Sequence, residues 1–126
     1  MANGMGIRAA GGATQATPQM KRGLVIWVNL SDAHPPEMDK VRPAVVVSNG
    51  VLNARLNTVV VVPLSTRPGE IWPLRVKVAA GARKSSFAVL PGIRQVAKTR
   101  LLEPIATLSA RDLAVLDRAV QACLSD

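Results

Sequence analysis

Aromatic side chains are almost absent from this sequence: two tryptophans, one phenylalanine and no tyrosine make up 2% of 126 residues. Recognition of RNA by a sheet that stacks several bases on aromatic rings is therefore nearly excluded. The single cysteine, Cys123, excludes an internal disulfide and a cysteine-rich zinc module, and the single histidine, His34, excludes a two-histidine acid/base pair within one chain. No apolar run approaches the length of a transmembrane helix, and no secretory signal is evident, so we predict a reduced, cytoplasmic compartment.

Acidic residues are also few. Eight Asp and Glu stand against sixteen Lys and Arg, which gives a net charge of +8. Such a basic small domain usually binds a polyanion, most often nucleic acid, and an acidic membrane surface is the weaker alternative. Glu37 and Asp39, the acids closest together in sequence, share one predicted loop, so a two-metal site for cutting nucleic acid is not expected. Two activities remain open: binding, or metal-free cleavage of RNA through its own 2′-hydroxyl.

The chain divides into a polar leader and one folded domain. Residues 1–19 are rich in Gly, Ala, Thr and Gln and lack periodicity, so we expect a disordered leader followed by a domain over residues 20–126. Apolar β-branched runs and alternating patterns predict short strands at residues 24–30, 43–48, 58–62, 72–78, 86–90, 93–98 and 105–108, with a helical turn at 51–56. Pro63 is expected to end the third strand, because proline has no N–H to donate.

The last element is predicted to be a helix. Ser109 is the expected N-cap, and Asp112 three residues later suggests a shortened capping box. One face carries apolar residues at helical spacing: Leu113, Leu116, Ala119, Val120, Cys123 and Leu124. Cys123 is therefore predicted to be a core residue. Short strands followed by one closing helix predict a small, strongly bent antiparallel sheet or barrel.

Arg42 is the best candidate for chemistry on a phosphate. A guanidinium holds two phosphate oxygens and never deprotonates, which suits it to the charge that gathers when the 2′-oxygen attacks. Glu37 stands five residues earlier and could act as a base or orient a partner. A surface salt bridge between the two residues explains the pattern equally well.

Further candidates lie at a strand exit and along one strand. Ser65, Thr66 and Arg67 follow the third strand, where two hydroxyls and a cation suit a phosphate site, although turn residues have the same composition. Arg94 and Lys98 alternate with Val96 and would share one strand face, as a phosphate-tracking stripe or only a solvated surface. His34 and the basic turn at Arg83 and Lys84 are ambiguous in the same way.

Several fragments together resemble the MazF/PemK toxins. The fragments are Lys21-Arg22-Gly23-x-x-Ile26-Trp27-Val28, Glu37-x-x-x-x-Arg42-Pro43-Ala44-Val45-Val46-Val47-Ser48-Asn49, Val61-Val62-Pro63-Leu64-Ser65-Thr66, Ile93-Arg94-x-Val96-x-x-x-Arg100-Leu101 and Pro104-Ile105-Ala106-x-Leu108-Ser109. They run in the family's order from about Lys21 to Leu124. The resemblance implies a mainly β fold with helices, a small SH3-like antiparallel barrel closed by a C-terminal α-helix.

The same resemblance implies a function. It predicts a toxin of a type II toxin–antitoxin system that acts as a homodimeric, sequence-specific, metal-independent endoribonuclease. Such an enzyme needs no cofactor, cuts single-stranded RNA, above all mRNA, leaves 2′,3′-cyclic phosphate and 5′-hydroxyl ends, and is blocked by a cognate antitoxin. By position, Arg42 matches the catalytic arginine, Ser65 a hydroxyl that is usually Thr, and Glu37 the loop acid. The predicted RNA-binding residues are Asn53, Thr66, Arg67, Arg94 and Lys98.

The chain departs from the family pattern at two places. Pro36 replaces a common glycine and stiffens the loop before Glu37. Pro91-Gly92 replaces an acid–glutamine pair whose acid is catalytic in some members, which leaves the chemistry to Arg42, Glu37 and Ser65. The alternative function is a non-catalytic one, either a CcdB-like gyrase binder of the same barrel class or a degenerate member that only binds nucleic acid or antitoxin.

Overall fold

The apolar β-branched runs form strands in the computed structural model of the chain, which describes residues 20–32, 40–81 and 85–125. The elements are β1 (Leu24–Asn29), β2 (Val41–Val46), α1 (Gly50–Arg55), β3 (Thr58–Ser65), β4 (Arg75–Val78), β5 (Ser86–Val89), β6 (Arg94–Ala97), β7 (Leu101–Thr107) and α2 (Ala110–Leu124), with single 3-10 turns at Leu90–Gly92 and Lys98–Arg100. The predicted leader, residues 1–19, lies outside the described residues.

The described strands form one antiparallel sheet in the order β4-β5-β3-β2-β1-β7. The first half of β3 also pairs with β6, and its last two residues pair with β5. The two end strands, β4 and β7, form no ladder with each other in the described part of the chain. The fold is therefore mainly antiparallel β-sheet with a C-terminal helix, and the sheet is not closed into the predicted barrel.

Pro63 does not end β3, contrary to the prediction. Val47 N–H donates to the Val60 carbonyl at 2.9 Å, so Val60 faces β2. Because alternate residues of a strand face opposite neighbours, residue 63 faces the other edge. On that edge β3 changes partner, from β6 at Val61 to β5 at Leu64. The missing N–H falls between the two ladders, and the strand continues to the residues of the functional site.

The two faces of the sheet each carry a buried cluster. Val25, Val45 and Val62 belong to the cluster that includes Leu116 and Ala119 of α2. The alternate residues belong to a second cluster on the opposite face: Leu24, Ile26, Val28, Leu30, Ala44, Val46, Val59, Val61 and Val96. The central strands are therefore apolar on both faces, as the unbroken valine run of β3 predicts.

The N-terminus of α2 is capped as predicted, but its partners differ in part. Ser109 Oγ accepts a hydrogen bond from Asp112 N–H at 3.1 Å. The Asp112 carboxylate accepts from Ala79 N–H at 2.9 Å, so it ties the helix to the chain after β4. Arg22 adds a second tie, because its guanidinium donates to both carboxylate oxygens of Asp117 at 2.8 and 2.6 Å. That contact raises the pKa of Arg22.

The last turn of α2 contradicts the prediction of a core cysteine. Cys123 is exposed, with Sγ 3.6 Å from the Pro73 carbonyl, and Leu124 is 70% exposed. Leu116 and Ala119 are fully buried. The apolar face predicted from helical spacing is therefore correct for the middle of α2, while the final turn extends beyond the core.

Several strand boundaries differ from the predictions; the second strand, for example, is Val41–Val46 where 43–48 was expected. Residues 72–74 form a turn, because Ile71 and Arg75 exchange backbone hydrogen bonds at 3.0 and 2.7 Å and close a short hairpin. At the other edge, β7 runs from Leu101 to Thr107, because it pairs with β1 along that length with two register shifts. Among the described residues, no helix is long and apolar enough to cross a membrane.

Candidate active site

The register between β2 and β3 brings Arg42 and Ser65 together. Ala44 lies opposite Pro63 at this end of the β2–β3 ladder, and Arg42 and Ser65 each lie two residues beyond that pair, on the same face of the sheet. Directly opposed residues of antiparallel strands point to the same face of the sheet. Arg42 is half-buried. Its partner on the neighbouring strand β1 is Val28, which lies directly opposite it. Two candidates that are 23 positions apart in sequence thus become neighbours.

An open groove forms where these side chains meet. It has a volume of about 480 Å³ and is lined by Arg42, Ser65, Thr66, Arg67, Arg75 and Val89. Four of the sequence-predicted site residues therefore lie in one groove. None of the described residues that line it is an acid, so its charged groups are all guanidinium ions. Such a surface attracts an anion, and the arginine forks match the oxygens of a phosphate.

The turn after β3 orients the Ser65 hydroxyl. Arg67 N–H donates to Ser65 Oγ at 3.1 Å. A serine hydroxyl carries one proton and two lone pairs, so accepting this bond leaves its O–H available as a donor. The turn also places Thr66 and Arg67 at the groove, where both are exposed. The local sequence Ser-Thr-Arg thus supplies two hydroxyls and a cation at the end of a rigid strand.

Arg75 and Val89 are groove residues that the sequence analysis missed. They start β4 and end β5, and they lie opposite each other in the register. The Arg75 guanidinium donates to the carbonyls of Gly69 and Arg67 and lies 5.6 Å from the centre of the Phe87 ring. The only signal in the sequence was the alternation that predicted a half-exposed strand here. An alternating pattern does not show that Arg75, rather than another basic residue, lies beside the end of β3.

Arg94 and Lys98 do not share a strand face, contrary to the expectation. Strand β6 ends at Ala97, and Lys98 begins a 3-10 turn. Lys98 Nζ donates to the Asn53 carbonyl in α1, and burial lowers the pKa of Lys98. Arg94 instead lies 3.4 Å from the carboxylate of Asp32. Neither residue lines the groove around Arg42.

Asp32 binds two of the cations near the end of β1. Its carboxylate lies 3.0 Å from Arg100 and 3.4 Å from Arg94. Desolvation alone would raise the pKa of Asp32, but the hydrogen bond from Arg94 and the charges of Arg100 and Arg94 outweigh it and hold the pKa below its ordinary value. These two arginines are therefore already paired with an anion.

Asn53 has a structural role in the fold. It is 2% exposed, its Oδ1 accepts from the Ser48 hydroxyl, and its Nδ2 donates to the carbonyls of Met20 and Ser48. Both amide N–H groups of Asn53 are therefore engaged inside the protein, and a contact from them to RNA would break a buried bond.

The remaining sequence candidates divide into two groups. Glu37 and His34, like Arg83 and Lys84, lie outside the described residues. Pro91 and Gly92 form the 3-10 turn after β5, where Ile93 N–H donates to the Leu90 carbonyl at 3.0 Å. That turn offers no titratable side chain at the two positions where the family pattern has an acid and a glutamine.

A seven-stranded antiparallel sheet with an arginine- and hydroxyl-lined groove defines a small β-protein equipped to bind a polyanion. The family model described as "PemK-like, MazF-like toxin of type II toxin-antitoxin system" matches residues 21–124. The curated protein "Endoribonuclease MazF9" from Mycobacterium tuberculosis (strain ATCC 25618 / H37Rv) is 38% identical over 110 residues, which is 81% of this chain and 93% of that protein. The chain therefore belongs to the PemK-like, MazF-like toxin family of type II toxin–antitoxin systems.

Solved structures agree on the fold. A MazF crystal structure from Deinococcus radiodurans has a TM-score of 0.73 at 22% identity and covers 87% of this chain and 98% of its own. An endoribonuclease from a mycobacterial species, in complex with its cognate antitoxin, has a TM-score of 0.69 at 21% identity and covers 82% and 93%. At these identities the likeness establishes the shared fold alone.

Proposed function

We propose that this chain is a sequence-specific, metal-independent endoribonuclease that cuts single-stranded RNA, above all mRNA. Its products are a 2′,3′-cyclic phosphate and a 5′-hydroxyl. One observation supports the proposal: Arg42 and Ser65 line the same open groove, and the charged residues of its described lining are all arginines. Family membership and the name of the mycobacterial relative support the same activity.

The geometry suggests a role for each side chain. The Arg42 guanidinium neutralises the charge that develops on the phosphate oxygens during attack by the 2′-oxygen. Ser65 Oγ is oriented by Arg67 N–H and donates its proton to one of those oxygens. Thr66 and Arg67 contact the neighbouring backbone of the RNA. Glu37 is proposed as the base that removes the 2′-proton, on the strength of its match to the family's loop acid. The 2′-oxygen then bonds to phosphorus as the bond from phosphorus to the 5′-oxygen breaks, and the leaving 5′-oxygen takes up a proton from water.

The test is cleavage of one defined transcript, with both new ends mapped. We expect cuts at a recurring short sequence, cyclic phosphate ends, and unchanged rates in EDTA. Arg42→Ala is expected to abolish cutting and growth arrest while the fold stays intact. Cutting that stops in EDTA would refute the metal-free mechanism, and undiminished cutting by Arg42→Ala would refute the site. A protein that binds RNA without cutting it would support the non-catalytic alternative.

We also propose an antitoxin partner, a homodimer and a cytoplasmic location. The mycobacterial structure with its cognate antitoxin supports such a partner, and an acidic antitoxin segment would complement the +8 charge. The cytoplasm is where the proposed substrate, mRNA, is found. Light scattering of the purified protein, alone and with the co-expressed antitoxin, tests both assemblies.

We further propose that the sheet curls into an SH3-like barrel within a domain spanning residues 20–126. Gly81, just after β4, lies against β7: a Cβ added there would come 3.2 Å from the Ala106 Cβ. The two end strands of the hydrogen-bonded order therefore approach each other through space. Limited proteolysis that leaves a stable fragment starting near residue 20 would support the domain boundary.

A further inference from the structure

Arg75 occupies an unusual place beside the groove, because one side chain spans a whole turn. Its backbone begins β4 and exchanges hydrogen bonds with Ile71, while its Nε donates to the Gly69 carbonyl at 2.9 Å and its Nη2 donates to the Arg67 carbonyl. The turn from residue 67 to residue 69 is therefore held from inside by the guanidinium. This is the same turn that presents Thr66 and Arg67.

The remaining side of the guanidinium is not used by the described protein. Phe87 supports one face of the group at 5.6 Å, and Nε and Nη2 are bonded to the turn. No acceptor among the described residues contacts Nη1. Because a guanidinium carries five N–H donors, the group can hold the turn and still offer a donor to a ligand in the groove.

The described lining of the groove carries three guanidinium groups. Arg42, Arg67 and Arg75 line one space, and the described lining residues include no acid. Glu70, an acid of the same turn, accepts from Lys77 N–H at 3.1 Å and so is committed elsewhere. The volume of about 480 Å³ falls in the range of sites that hold whole small molecules, which is larger than a single phosphate needs.

We propose that Arg75 binds the phosphate next to the scissile one in the RNA and positions the 67–69 turn through its other N–H groups. This inference rests on the proposed function, since it assigns a second phosphate to the same groove. Arg42 then meets the reacting phosphate, and Arg75 fixes the register of the strand along the groove. Arg75 is a binding and positioning residue and takes no part in proton transfer.

The first experiment measures binding of a 2′-O-methyl RNA oligonucleotide, which cannot be cut. The variants are R75Q, R75K and the matched control K77Q, which removes the same charge from the same strand outside the groove lining. Loss of a charge-assisted bond predicts about tenfold weaker binding for R75Q at 0.1 M salt, and a slope of log affinity against log salt smaller by about 0.7. We expect K77Q to stay within about twofold of wild type, because an exposed charge beyond the contact is screened.

The second experiment measures KM and kcat on a cleavable RNA, together with the melting temperature. We expect R75Q to raise KM more than it lowers kcat. R75K is expected to keep the wild-type salt slope and still bind more weakly, because an ammonium cannot hold both turn carbonyls and a phosphate. If R75Q does not fold, the R75K variant provides the test. Weaker RNA binding by R75K with the wild-type salt slope supports the proposal, and RNA binding equal to wild type overturns it.

Three results separate the possible failures. Equal affinities and slopes for R75Q and K77Q would mean that Arg75 contributes only general surface charge, and the proposal would be wrong. For R75Q, a lower kcat and melting temperature with a wild-type salt slope and wild-type affinity would mean a purely structural clamp, which also overturns the proposal. Wild-type protein that binds the oligonucleotide but never cuts RNA contradicts the proposed function, while the R75Q and K77Q comparison still tests the binding role.

Discussion

Removal of the Ser65 hydroxyl tests the proposed site most directly, because we propose that it donates to the scissile phosphate while it also accepts from Arg67 N–H. In S65A the phosphate oxygen loses a donor, and Arg67 N–H loses its acceptor at 3.1 Å. Removing one preorganised donor to a developing oxyanion costs about 10²–10³ in kcat, or about 3–4 kcal/mol of transition-state stabilisation. Loss of the turn hydrogen bond costs about 1 kcal/mol of folding free energy, because the turn is exposed to water.

A matched variant separates these two effects. Ser109 Oγ accepts a backbone N–H at 3.1 Å, just as Ser65 Oγ does, but it caps α2 and is absent from the groove lining. S109A is expected to lose about 1 kcal/mol of stability and to keep the wild-type kcat. S65T keeps the donor and is expected to retain most activity.

The assay is single-turnover cleavage of a short RNA that carries the mapped cut site, with thermal unfolding of each variant measured in parallel. We expect a kcat at least about a hundredfold lower for S65A than for S109A at similar melting temperatures. Equal cleavage rates for S65A and S109A would show that the hydroxyl does not touch the reacting phosphate and would refute its proposed role.

Three further changes test the fold that supports the groove. The pKa of Asp32 is lowered in the folded chain, so its ion pairs stabilise the fold fully above the ordinary pKa of an aspartate. That stabilisation is lost as the pH falls through the lowered pKa. The melting temperature of D32N should therefore fall less steeply than that of wild type below about pH 4. D117N, which breaks the two-pronged contact with Arg22, should lower the melting temperature by about 3–5 °C at pH 7, since half-exposed ion pairs contribute about 1 kcal/mol. G81A should cost about 1–2 kcal/mol in a denaturant titration, because Gly81 has a φ of +66° and its new Cβ would press on Ala106.

Much of the fold could be predicted from local patterns. The valine run of β3 is buried as expected, and Ser109 caps α2 as expected. The wrong predictions concern which neighbouring elements a residue contacts, not the local pattern of strand or helix. Pro63 continues its strand because β3 changes neighbours at that point, and Cys123 is exposed because α2 extends beyond the sheet. Neither fact is encoded within a few residues of the position concerned.

For the candidate site as well, the sequence predicted residues within local fragments but not the contacts that distant segments make in the fold. Arg42 and Ser65 belonged to separate sequence fragments, and the folded chain brings both to the lining of one groove. Arg75 was missed because its importance comes from the turn that folds back over it, six to eight residues earlier in the chain. Asn53 was predicted to bind RNA, but it is buried and its amide donates to the carbonyl of Met20, 33 positions earlier in the chain.

Charge alone would not have separated the functional arginines from the structural ones. Arg94 and Arg100 share the carboxylate of Asp32, so an RNA phosphate would have to displace a bonded anion to reach them. Arg67 and Arg75 line the groove, and neither forms an ion pair with a described acid. We therefore expect an RNA phosphate to bind at these two groove arginines more readily than at Arg94 and Arg100, where it would have to compete with Asp32.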